Sequence, residues 1–505
     1  MHISRRCFIQ SLGAVGAAST LPMSLRLGAA PAPTVLNYKS MFNDALANDQ
    51  RLIGFKDVNK NFALKQMDVE GTIPKALQGS LFRNGPAKLE RGDIRYQHLF
   101  EGDGMLQQFK FADGKVYHRG KFVQTPKFQQ EQRAGKFLYS APDTKIPNSL
   151  AVVDNDTVNT ANTNVIAVGD DLWTLWEAGS PARVNPQSLD FQGLVNLGEH
   201  SRYGNKLKGL PFSAHPKIDG NGDIFNFGLH NSGRIAVYHL GASGVMKNVS
   251  LINANYKGGM LHDFLITEKY VLLVLPSLVQ SSSDDGYFER IKFSKNVPMR
   301  VLVLDKNTLQ QVREYQLPPA FVFHFGNAWT ERDGTICFDA CLYQDADALH
   351  KLSRLMIGKA AINTRSQSVF IRLKTNGSVE ITSTNINSEF PRILPNLTGI
   401  KNKHLYHLSS SDDALWSESV SRIDTTTGKQ EKYRYGSEFL VEEHVPISLN
   451  GREKGDYVIG TALHFPSKRT CISVFEADNL SAGPMGRAWL PYHLPLGFHG
   501  NFMCI

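Results

Sequence analysis

Short apolar stretches separated by turn-forming residues dominate the chain from about Gly79 onward. Val271-Leu272-Leu273-Val274-Leu275 and Val301-Leu302-Val303-Leu304 are continuous apolar runs between breakers, the pattern of strands buried on both faces. Asp113-Gly114, Asp219-Gly220-Asn221-Gly222, Asp333-Gly334 and Asn376-Gly377 predict hairpins, because Asn, Asp and Gly tolerate the positive φ of tight β-turns. Helical periodicity is scarce, and the best helical segment runs from Phe128 to Leu138. Four segments share one form: Arg183-Val184-Asn185-Pro186-Gln187-Ser188-Leu189, Val303-Leu304-Asp305-Lys306-Asn307-Thr308-Leu309, Ile423-Asp424-Thr425-Thr426-Thr427-Gly428 and Phe475-Glu476-Ala477-Asp478-Asn479-Leu480. Each is an apolar strand that runs into an acid or Asn and then a turn. Such recurrence is expected where one blade of a β-propeller hands over to the next; isolated hairpins with Asp-rich turns would read the same way. No Gly/Ser-rich or Pro-rich linker interrupts the body, so residues 31–505 read as one all-β domain.

The first 30 residues read differently. Ser4-Arg5-Arg6-Cys7-Phe8-Ile9-Gln10 is followed by a weakly apolar stretch, Ser11 to Ala18, and by small residues around Gly28-Ala29-Ala30-Pro31-Ala32. A basic start, an apolar middle and a small-residue cleavage region predict a removed export signal. The Arg pair before an apolar residue predicts the twin-arginine route and a periplasmic destination. Arg5, Arg6 and Arg26 are the only charged residues in this segment, so its loss lowers the formal charge from +8 to +5, with 52 basic and 47 acidic side chains remaining. That balance is mild, and no Lys/Arg cluster interleaves with aromatics, which excludes nucleic acid as the expected partner. The longest interior apolar run, from Tyr270 to Val279, contains Pro276 and falls short of the ~18 residues of a spanning helix. A soluble protein is expected. Cys337 and Cys341 fall on one face of an apparent strand, where they cannot easily pair with each other. Disulfides are neither required nor excluded.

Familiar catalytic signatures are missing: there is no G-x-S-x-G, H-E-x-x-H, Walker loop or helix-opening G-x-G-x-x-G. Histidine in apolar, strand-like settings stands out instead. His215 lies in Ala214-His215-Pro216-Lys217, His262 in Leu261-His262-Asp263-Phe264, His324 in Phe323-His324-Phe325, and His499 in Phe498-His499-Gly500. They are 47, 62 and 175 residues apart, and such spacing does not by itself bring them together.

Gly79-Ser80-Leu81-Phe82-Arg83-Asn84-Gly85-Pro86, followed by His98-Leu99-Phe100-Glu101-Gly102-Asp103-Gly104-Met105, resembles the opening of the carotenoid cleavage oxygenases. Phe122-Val123-Gln124-Thr125, Ala134-Gly135-Lys136-Phe137-Leu138-Tyr139, Asn162-Thr163-Asn164-Val165, Leu175-Trp176-Glu177-Ala178-Gly179 and the four His contexts continue the resemblance in the family's order, from about Gly71 to Phe502. The resemblance implies a seven-bladed β-propeller, with loop and helix insertions over its top face and one Fe(II) per chain held on its axis by His215, His262, His324 and His499. It also implies glutamates behind three of the ligands, at Glu177, Glu389 and Glu443. At the last of these the family usually has Phe-Val-Pro just afterwards, whereas this chain has Val445-Pro446-Ile447, so Glu442 is an alternative. Thr163 matches a residue that crowds one open coordination position. Asn327-Ala328-Trp329 is followed by Thr330-Glu331 where relatives often place two acids.

The activity implied is dioxygenase cleavage of a conjugated C=C bond with O2, giving aldehyde or ketone products. Gln124-Thr125 and Ala134-Gly135-Lys136 look most like the bacterial apocarotenoid-cleaving members. The alternative substrate is a stilbenoid, for which Lys127 lies roughly where relatives hold a phenol. A propeller that only binds an apolar ligand would need none of the four His contexts. Contact with a membrane surface is implied for extracting a polyene, and no obligate protein partner is expected.

Overall fold

The computed structural model describes residues 37–359, 364–411 and 414–504; the export-signal expectation at residues 1–30 lies outside them. Seven antiparallel sheets of four or five strands are arranged as the blades of a propeller. The innermost strands of blades one to seven are, in turn, Gly500–Met503, Asn164–Val168, Lys217–Ile218, Leu265–Ile266, Phe321–Val322 with Ala328–Thr330, Glu389–Arg392 and Phe439–Ile447. Strands then follow outward by hairpins. The ring is closed twice. Gly500–Met503 pairs with Gly79–Lys88 inside blade one, and Asp68–Gly71 completes the outer edge of blade seven against Gly486–Trp489.

The buried apolar clusters sit mainly between neighbouring blades. One joins Leu272, Val274, Val301 and Val303 of blade four to Ile336, Phe338 and Ile371 of blade five. Both predicted apolar runs lie in its strands, Tyr270–Leu275 and Met299–Asp305. Burial on both faces explains why they are continuously apolar. All four predicted turns are hairpins, and at the first Asp113 and Gly114 both take positive φ, 53° and 76°.

The recurrent Asp/Asn segments have a different place from the one expected. Three of the four join the third strand of a blade to its outer strand rather than one blade to the next: Ala182–Val184 to Phe191–Leu194, Met299–Asp305 to Gln311–Leu317, and Ser419–Asp424 to Gln430–Arg434; the fourth, Phe475 to Leu480, leads from the third to the fourth strand of blade seven. The cause is local. Oδ1 of Asn185, Asp305 or Asp424 accepts hydrogen bonds from the backbone N–H groups two and three residues on, an Asx-turn that reverses the chain.

The helix expected over Phe128 to Leu138 instead spans Pro126–Ala134. Thr125 caps it, accepting from the Phe128 N–H at 3.2 Å, and Gly135 ends it at φ 66°. A helix at Asp347–Met356 buries Leu349, Leu352, Leu355 and Met356. With Phe42 of helix Tyr38–Asn48 and with Leu52 and Phe55, three of these (Leu352, Leu355 and Met356) form a separate core over one face of the ring. No helix among the described residues is long and apolar enough to cross a membrane. Cys337 and Cys341 are buried and free, as are buried Cys471 and exposed Cys504.

Candidate metal centre

Each predicted histidine stands at the entrance to an innermost strand, and this is how residues so distant in sequence meet on the axis. His215 precedes Lys217–Ile218, His262 precedes Leu265–Ile266, His324 lies between the two inner strands of blade five, and His499 immediately precedes Gly500–Met503. All four are buried, and one ring nitrogen of each lies within 4.8 Å of the others. Nε2 of His262 is 3.0 Å from Nε2 of His215 and 3.3 Å from Nε2 of His324.

The loops that carry them are pinned by side chains. Asn164 donates to the Ala214 carbonyl at 2.9 Å and Asn226 to the Ser213 carbonyl at 2.7 Å, fixing the approach to His215. Asp263 connects three of the ligand segments. It pairs with Lys217 at 2.8 Å and accepts the Phe325 N–H at 3.0 Å and its neighbour Phe264 N–H at 2.7 Å. Asp339 accepts the Gly326 and Asn327 N–H groups, both at 2.9 Å, and burial pushes its carboxyl up to about 7. Sequence reasoning missed both acids: an Asp beside a His, like Asp263, or within an apolar strand, like Asp339, carries no mark of what it holds.

The three predicted glutamates stand behind three of the four rings. Glu177 Oε1 lies against His262 Nδ1. Glu389 Oε2 is 2.5 Å from His324 Nδ1, while its Oε1 accepts from the Tyr343 hydroxyl at 2.8 Å. Glu443 Oε1 is 3.0 Å from His499 Nδ1, and its Oε2 accepts the Gly500 N–H at 2.8 Å. Burial alone would raise Glu443, but Arg392 and His499 outweigh it and hold the carboxyl down at about 2. Burial, reinforced by the neighbouring imidazoles, pushes His215 well below the usual range. At His324 burial pulls the same way, yet the Glu389 carboxylate outweighs it and holds the ring above its ordinary value.

Glu442 does something else. It forms a buried bidentate ion pair with Arg83 and accepts from Thr461 Oγ1 at 2.7 Å and the Gly497 N–H at 2.6 Å. Strict alternation would send Glu442 and Glu443 to opposite faces. The strand is irregular between Val441 and His444, and this bulge lets both carboxylates reach blade one.

Thr163 joins His262, His324 and His499 in the wall of one cavity of ≈ 120 Å³, whose other walls include Phe100, Phe323, Phe390, Trp416 and Phe498. Lys127 is not among its lining residues. Its ammonium is buried and donates to Tyr96 Oη at 2.8 Å, Asp103 at 2.7 Å and Glu131 at 3.0 Å. The departure at Thr330-Glu331 has only local consequences: Glu331 accepts from the Trp329 indole at 3.0 Å and pairs with Lys401 at 2.9 Å.

The apocarotenoid-15,15'-oxygenase of Synechocystis is 27% identical over 86% of this chain and 92% of its own length. The lignostilbene-alpha,beta-dioxygenase isozyme III of Sphingomonas paucimobilis is 26% identical over 86% and 93%. Among solved structures, cobalt-substituted Synechocystis apocarotenoid oxygenase superposes with a TM-score of 0.80 at 25% identity, over 90% of this chain and 98% of that one. The profile of the family described as retinal pigment epithelial membrane protein, RPE65, matches residues 55–504. A match from blade to blade around the whole ring, with the same seven-bladed fold, means that this chain belongs to the carotenoid cleavage oxygenase family.

Proposed function

We propose that the protein is an Fe(II)-dependent dioxygenase that cleaves a conjugated double bond of an apocarotenoid with O2, R–CH=CH–R′ + O2 giving R–CHO and R′–CHO. The observation that carries this reading is the convergence of four buried imidazoles, three of which line an aromatic-walled cavity and are backed by carboxylates. The donor set suits the ion. A carboxylate at Nδ1 keeps the ring proton there and turns the Nε2 lone pair inward, and neutral imidazole is a borderline ligand compatible with iron. Once bound by His215, His262, His324 and His499, Fe(II) would supply the means of activating O2.

The protein's own part is positioning and exclusion. Glu177, Glu389 and Glu443 hold the Nδ1 protons of His262, His324 and His499 and offset charge at the centre. Phe100, Phe323, Phe390 and Phe498 keep water from the reacting carbons and fix which bond lies beside the centre. Thr163 narrows the approach on the side of blade two. Relatives act on both substrate classes, and the three hydrogen bonds that occupy Lys127 favour the apocarotenoid over a phenol-anchored stilbenoid.

Purified protein is expected to hold about one iron per chain and to release aldehydes from apocarotenals in an oxygen-dependent reaction. His262→Ala is expected to lose iron and turnover while keeping the far-UV spectrum of a β-protein. Full turnover in that variant refutes the reading.

A further inference from the structure

The cavity lined by His262, His324 and His499 has a charged group on its wall that neither the centre nor the fold employs. Lys351 lines it together with Ala348 and Leu352. Residues i, i+3 and i+4 share one face of a helix, so helix Asp347–Met356 presents a lysine where its apolar stripe meets the cavity. Among the described residues no hydrogen bond or ion pair engages the Lys351 ammonium. The carboxylate that shares the cavity, Glu389, is already taken by His324 and Tyr343. Burial, together with the charge of Arg354, brings the ammonium down to about 8. Thr364 and Ser417 add hydroxyls to the same lining, with no described hydrogen bond engaging either one.

Lys351 is half-buried, and partly desolvating an ammonium that no described carboxylate faces has a cost that is recovered when an anion occupies the space beside it. It gives the fold nothing that a leucine at this position would not. We propose that Lys351 receives the oxygenated end of the substrate and selects conjugated chains that end in a carboxylate. This rests on the cavity being the substrate site of the proposed dioxygenase. The apolar polyene would lie along the phenylalanines with its ionised end at Lys351, and this anchoring would fix which double bond sits beside the centre. The other titratable groups around the cavity, His262, His324, His499, Glu389 and Tyr343, all have partners within the centre.

Trp416 lines the same cavity, so binding can be read by quenching of tryptophan fluorescence, without turnover. Retinoic acid, retinal and retinol serve as probes that differ only at the terminal group. Lys351→Met is expected to weaken the acid about ten- to a hundredfold, the loss of a charge-assisted hydrogen bond, and to leave retinol within about twofold. Lys351→Arg, which keeps the charge, is expected to restore most of the preference. In the unsubstituted protein the acid is expected to bind more weakly as pH rises past about 8, a dependence lost in Lys351→Met. The inference is overturned if Lys351→Met, folded and with unchanged iron content, binds the three probes in the same ratio as the unsubstituted protein. Lysine-dependent binding of the acid without cleavage of any polyene would sustain the anchor and count against the dioxygenase reading instead.

Discussion

Replacing Glu443 by Gln changes one atom's chemistry at a carboxylate whose two oxygens both accept. Oε1 takes the His499 Nδ1 proton at 3.0 Å with Arg392 at 3.4 Å, and Oε2 takes the Gly500 N–H at 2.8 Å. An amide has one acceptor oxygen, so its NH2 must face one of these donors. If it faces Gly500, a buried N–H loses its partner, a cost of about 1–3 kcal/mol. If it faces His499, the ring proton must move to Nε2, the nitrogen the metal needs. Either way the ligand is less basic and less firmly aimed, and metal affinity or turnover should fall ~10–100-fold. The adjacent change, Glu442→Gln, strips the charge opposite buried Arg83 and should cost ~3–5 kcal/mol of stability while folded protein keeps its metal. Metal per chain by plasma mass spectrometry and Tm by circular dichroism, measured on both variants, give opposite signatures. Full metal content and turnover in Glu443→Gln, or metal loss at unchanged Tm in Glu442→Gln, would refute the division of labour.

Three further expectations can be measured. The folded Glu443 carboxyl sits at about 2 against an ordinary 4.5; because the folded value is depressed, its contribution of ~3 kcal/mol is full above the ordinary value and lost as pH falls through the folded one. The stability gap between the unsubstituted protein and Glu443→Gln should close over that window, and a constant gap would contradict it. Gly497→Ala would place a methyl 2.4 Å from the Arg83 guanidinium and should lower stability by ~1–3 kcal/mol; an unchanged melting curve would show that Arg83 yields without cost. Export is proposed to use the twin-arginine pair, so replacing Arg5 and Arg6 together with Lys should leave folded precursor in the cytoplasm, and normal processing would point to another route.

Individual strands and turns were legible in the sequence because burial on both faces and tight reversals each impose a residue pattern, as at Val271–Leu275 and Asp113-Gly114. The ring was not legible from that pattern alone. The recurrent Asp/Asn turns record how a blade's outer hairpin is made and carry no information about how blades connect. The four ligands were found through family resemblance, since no spacing rule relates His215 to His499. Glu442 and Glu443 could not be told apart because a bulge suspends the alternation on which strand reasoning depends. Lys351 escaped notice for the opposite reason: in an amphipathic helix a lysine beside the apolar stripe looks like an ordinary solvent-facing residue.

The position of Gly500–Met503 as innermost strand of blade one has a consequence for biosynthesis. Among the described strands it is the last to leave the ribosome, yet it seals the first blade and carries His499 into the centre. Until it is released, a nascent chain can present at most three of the four imidazoles, and blade one lacks its axial edge. The site therefore acts as a completion gate: a stalled or clipped chain that has built six blades still offers an incomplete binding pocket. Metal capture at the four histidines then reports that the ring has shut, which would keep chains with an open first blade from holding an ion.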